Sequence, residues 1–82
     1  MADYLEKFMN LVEEANENRN FETIQWTRVL HDIIQETFGL GYERAWDFTW
    51  YMIEFGAVSF DEKQIKVNKE QFQKVIWVRL KS

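Results

Sequence analysis

The chain has 82 residues, 46% of them hydrophobic and 29% charged, with three glycines, no proline and no cysteine. That composition excludes a disordered chain and a disulfide scaffold, and the length predicts a single domain over 1–82 around one small core. The formal net charge of −4 argues against a uniformly basic surface of the kind that grips nucleic acid.

The opening stretch, MADYLEKFMNLVEEA, has neither the basic n-region nor the continuous apolar run of a secretory signal. No segment reaches the roughly 18 apolar residues of a membrane span. The expectation is a cytoplasmic protein with no membrane partner. Leu5, Phe8, Met9, Leu11, Val12 and Ala15 fall on one arc, predicting an amphipathic helix over about 3–17. Asn20 then offers a cap for a second helix over 21–38, with Glu22 in its first turn. Its inward arc is Trp26, Val29, Leu30, Ile33, Ile34 and Phe38. Gly39 suits the left-handed residue that closes a helix.

From Tyr42 to Phe55 the chain places six of its fourteen aromatic residues. At 100° per residue, Tyr42, Trp46, Thr49, Trp50 and Ile53 share one face, while Phe48, Tyr51 and Phe55 lie on another beside Arg44. A narrow stripe of Glu43, Asp47 and Glu54 separates them. A helix apolar over most of its circumference is normally buried, and 82 residues provide few elements to bury it. The first face is therefore expected to meet Trp26, Leu30 and Ile33 in the core; the second is either covered by the first helix or the C-terminal segment, or kept for a partner.

Gly56 closes that helix. Ala57–Phe60 and Gln64–Val67 alternate apolar and polar residues on either side of Asp61-Glu62-Lys63, the pattern of a β-hairpin. Asn68 and Gln71 are spaced as a capping box, and Phe72, Val75, Ile76 and Leu80 follow at helical spacing. The run VIWVRL also has strand composition; cap and spacing favour a helix. The predicted fold is mainly α: three helices, a short hairpin and a C-terminal helix. Residues 1–62 hold thirteen acids against four bases, and 63–82 hold six bases against Glu70, so the tail is oppositely charged to the body.

Catalysis finds little support. His31 is the only histidine, and without cysteine it cannot build a structural zinc site; it reads as a residue at the margin of an apolar arc. Ser59 and Ser82 have no neighbouring base. Glu43, Asp47 and Glu54 read as a solvated stripe, and Gly39-x-Gly41 follows a helix where dinucleotide glycines follow a strand. The chain is not expected to be an enzyme or to carry a cofactor or metal.

Binding fits better. Interface cores favour Trp, Tyr, Phe, Met and Arg, the composition of the face holding Arg44, Phe48, Tyr51 and Phe55. The expectation is a small acidic protein–protein interaction module, acting as adaptor, inhibitor or dimerising regulator on another protein or on a second copy of itself.

Two helices joined by a glycine turn and followed by a hairpin resemble, in element order over 21–67, the helix-turn-helix and wing of winged-helix proteins. That resemblance implies nucleic-acid binding, with the aromatic helix in the major groove. Glu43, Asp47 and Glu54 oppose phosphate there, leaving Lys63, Lys66 and Lys69 of the hairpin and tail as the contacts. A third reading makes the acidic N-terminal body, with Asp3, Glu6, Glu13, Glu14, Glu17 and Glu22, an imitation of nucleic-acid phosphates.

Overall fold

A computed structural model describes residues 4–18, 26–61 and 64–80. Its elements run α1 (Tyr4–Asn18), α2 (Trp26–Phe38), α3 (Tyr42–Glu54), β1 (Val58–Asp61), β2 (Gln64–Val67) and α4 (Lys69–Leu80). This is the mainly helical architecture and winged-helix-like order predicted from the sequence, with residues 69–80 helical. Asn20, Glu22 and the centre of the hairpin turn, Glu62 and Lys63, lie outside the described residues.

α1 turns Phe8, Val12 and Ala15 inward, spaced four and three residues apart along one face. α2 buries Val29, Leu30, Ile33 and Ile34 and ends on Gly39, whose φ of 65° closes the helix as its amide donates to the Gln35 carbonyl at 2.9 Å. α3 starts from Gly41, which supplies no side-chain cap, and stops in a Schellman closure. There the Ala57 amide donates to the Met52 carbonyl and Gly56, at φ 74°, to that of Ile53, at 2.9 and 3.1 Å.

Rings from all four helices form the centre of the core. Phe38 of α2 stacks on Phe48 of α3 with centroids 4.9 Å apart and lies 5.0 Å from Tyr4. Phe72 of α4 lies 4.7 Å from Phe8 and 6.2 Å from Phe38. Such pairs contribute about 0.5–1.5 kcal/mol each beyond their area burial.

β1 and β2 pair antiparallel, with Val58 opposite Val67 and Phe60 opposite Ile65. Val58 and Ile65 point into the core while Ser59, Asp61, Gln64 and Lys66 face out. A two-stranded ribbon is marginal by itself, and here α1 supplies what a third strand would. The Asn16 side-chain oxygen accepts from the Ile65 amide at 2.9 Å, and its nitrogen donates to the Ile65 carbonyl at 3.1 Å. One amide group thus satisfies both main-chain groups of Ile65 on the outer edge of β2.

α4 begins at Asn68, whose side-chain oxygen accepts from the Gln71 amide at 3.1 Å. The other half of the predicted capping box is redirected. The Gln71 side chain donates to the Phe55 carbonyl at 2.9 Å, and the Asn68 amide donates to Ala57 at 2.8 Å. Phe72 and Val75 are buried, with Ile76 partly so.

The inward face of α3 differs from the predicted one. Ala45, Phe48, Thr49 and Met52 point into the core; Trp50 remains 50% exposed and Trp46 is half-buried. Ala45 and Thr49 are small enough to let α3 approach its neighbours, and the Thr49 hydroxyl is satisfied by donation to the Ala45 carbonyl at 2.7 Å. Indoles stay toward water, where their N–H groups can be hydrated. Trp50→Ala is accordingly expected to cost about 1 kcal/mol, a shift of a few degrees in thermal denaturation followed by circular dichroism. A loss above about 3 kcal/mol, the range of a buried indole, would contradict the observed orientation.

Candidate interaction surface on α3 and α4

With its small residues turned inward, α3 presents an acidic stripe bordered on both sides by stacked rings. Glu43, Asp47 and Glu54 are exposed along its centre. On one side Trp46 stacks on Trp50 with centroids 6.0 Å apart and an interplanar angle of 22°. Tyr42, 64% exposed, meets the edge of Trp46 at 6.4 Å. His31 supports this row from beneath, stacked on Trp46 at 4.2 Å. Its Nε2 donates to the Tyr42 carbonyl at 3.0 Å, and its Nδ1 lies 3.4 Å from the Asp32 carboxylate. His31 is only 1% exposed, more deeply buried than its marginal place on the apolar arc predicted. It fixes the start of α3 against α2.

On the other side Tyr51 and Phe55 stack at 4.4 Å with planes 15° apart. A depression of about 310 Å³ lined by Arg44, Asp47, Phe48, Trp50, Tyr51 and Glu54 opens beside them. Beyond Tyr51 it meets an open groove of about 710 Å³ between the end of α3 and α4. The α4 wall includes Lys74, Val75, Trp77 and Val78. Trp77 is 69% exposed, the most of the large apolar side chains among the described residues, and Phe55 is 50% exposed.

Of the four residues predicted to meet a partner, Arg44 and Phe55 are exposed and Tyr51 is partly buried between them, packed against the core. Phe48 is 6% exposed, stacked on Phe38, and forms only the floor of the depression. Trp77 and Val78 were missed by the sequence reading. The signal for them was present, because VIWVRL holds more apolar residues than one face of a two-faced helix accommodates.

The basic alternative is less concentrated. Lys63 lies outside the described residues, Lys66 sits 3.7 Å from Asp61 across the hairpin, and Lys69 is exposed at the start of α4. Glu6, Glu13, Glu14 and Glu17 are exposed along α1 with Lys7 among them. Among the described residues no three His, Asp or Glu side chains converge as a metal site requires, and no helix is long and apolar enough to cross a membrane. Comparison with protein-family models, with curated proteins and with solved structures gives no match.

Proposed function

We propose that this protein is a small interaction module, an adaptor, inhibitor or dimerising regulator, that recognises protein through the outer half of α3 and the groove beside α4. The observation that carries this reading is the exposure of Phe55 and Trp77, at 50% and 69%, on the two walls of one groove. Water solvates such rings poorly, and clustered exposed apolar groups mark interaction surfaces. Tyr51, Phe55 and Trp77 provide the rigid ring area that dominates binding energy, and Arg44 provides a planar hydrogen-bonding group at the edge.

Nucleic acid suits the surface less well. The helix that would enter a groove presents Glu43, Asp47 and Glu54, and phosphate is repelled by that stripe.

A photo-crosslinking side chain in place of Phe55 is expected to give discrete protein adducts in cells expressing the chain. The same crosslinker placed at Asp61 on the hairpin should not give them. Tyr51→Glu combined with Phe55→Glu should abolish binding of the captured partner while leaving the melting temperature within a few degrees. Duplex DNA is expected to bind no tighter than about 10⁻⁵ M at physiological salt. Absence of protein adducts from position 55, or sub-micromolar and salt-sensitive DNA binding, would overturn the proposal.

A further inference from the structure

α4 is apolar on two opposed sides. Phe72 and Val75 enter the core, whereas Trp77 and Val78 are exposed at 69% and 53%. Its exposed charges among the described residues are Lys69, Glu70 and Lys74, with Lys74 lying 3.8 Å from Glu70 one turn earlier, which leaves one net positive charge on this helix face. α3 carries the matching chemistry, with Phe55 and Trp50 exposed beside Asp47 and Glu54. Glu54 stands in the last turn, where no base accompanies it and the helix dipole disfavours an acid. Its charge therefore works against the stability of its own helix and is available to a cation from outside.

We infer that the occupant of the α3–α4 surface is a second copy of this chain, with α4 of each protomer lying along the outer face of α3 of the other. This rests on the proposed function and names its partner. A two-fold interface needs both members of every complementary pair on one continuous patch. Ring knobs and a groove meet that condition because α3 and α4 wall the same 710 Å³ groove, with Lys74 on its α4 wall. At Tyr51 the groove adjoins the depression lined by Asp47 and Glu54.

The size fits as well. At about 150–250 Å² per aromatic side chain, the exposed fractions of Trp77, Phe55 and Trp50 leave on the order of 300 Å² of ring surface. Val78 and the exposed charges of both helices enlarge that patch toward the roughly 800 Å² per partner of a standard interface.

Charge exchange tests the arrangement. The wild type is expected to sediment as a monomer–dimer mixture with a dissociation constant of about 1–100 µM. Lys69→Glu with Lys74→Glu, and separately Asp47→Lys with Glu54→Lys, should each weaken self-association at least tenfold by setting like charges across the interface. Mixing the two variants should restore a dimer, since every contact is then between opposite charges. Trp77→Ser should give a monomer with an unchanged melting temperature.

A wild type that stays monomeric at about 100 µM overturns the inference. Adducts from position 55 larger than two chains of 10.0 kDa would then keep the interaction module with a different partner. A wild-type dimer that is indifferent to both charge variants and to Trp77→Ser places self-association on another surface and overturns the inference equally.

Discussion

Phe72→Ala is expected to leave the protein barely folded at 37 °C. Phe72 is fully buried and is the residue through which α4 joins the ring cluster, 4.7 Å from Phe8 and 6.2 Å from Phe38. Truncating a buried Phe costs about 3–5 kcal/mol, against the roughly 5–15 kcal/mol that hold a small domain folded. For a chain of this length each kcal/mol moves the melting temperature by about 4–8 °C, so a fall of roughly 15–30 °C should appear in a thermal melt. Trp77→Ala, on the opposite side of the same helix, should move it by only a few degrees. Equal losses for the two variants would mean that α4 is not held by its Phe72 face.

Asn16→Ala should be the most damaging change at a polar position. It removes one side chain and leaves two partly buried main-chain groups of Ile65 without their partners. An orphaned group costs about 1–3 kcal/mol, so a loss of about 2–4 kcal/mol is expected, with faster hydrogen exchange at the Ile65 amide.

Asn16→Asp distinguishes the hydrogen bonds from mere bulk. Its carboxylate still accepts from the Ile65 amide but sets its other oxygen against the Ile65 carbonyl. Protonation turns that oxygen into a donor. The fold thus prefers the neutral acid and raises its pKa above the unfolded value of about 3.9. Stability gained from that proton is fully present below the unfolded value and is lost as pH rises through the folded one. The deficit of Asn16→Asp relative to wild type should therefore shrink as pH falls toward about 4. A deficit that does not vary with pH would show that the two hydrogen bonds are not what Asn16 contributes.

The order of elements was legible because each signal was local. Phe8, Val12 and Ala15 repeat at helical spacing, Gly39 and Gly56 stand where helices must close, and Val58 and Ile65 alternate with polar neighbours. α4 was decided against a strand by Asn68, since a cap outweighs the β-propensity of a short run.

The orientation of α3 was not legible. Both of its aromatic arcs are apolar enough to be core, and the choice fell to Ala45 and Thr49, whose small size matters only once a neighbouring helix is in place. Of the residues expected on the partner face, Arg44 and Phe55 are exposed and Tyr51 partly so, whereas Phe48 is buried in the core. The bond between Asn16 and Ile65 spans 49 residues, and no periodicity or spacing encodes such a pairing. Trp77 and Val78 could have been found by asking which apolar residues of α4 its single inward face could not hold.

The junction between α3 and α4 also bears on how fast a partner can bind. Two hydrogen bonds tie the start of α4 to the end of α3, Gln71 to the Phe55 carbonyl at 2.9 Å and the Asn68 amide to the Ala57 carbonyl at 2.8 Å, while the Gly56 and Ala57 amides close α3 on Ile53 and Met52. They fix the departure of α4 from the end of α3 as part of folding itself. The walls of the groove are then in place before any encounter, so association need not wait for a loop to order or a helix to form, steps that slow docking and erode affinity. A partner meeting this groove should associate at about 10⁵–10⁷ M⁻¹s⁻¹, with differences in affinity among groove variants lying in the lifetime of the complex.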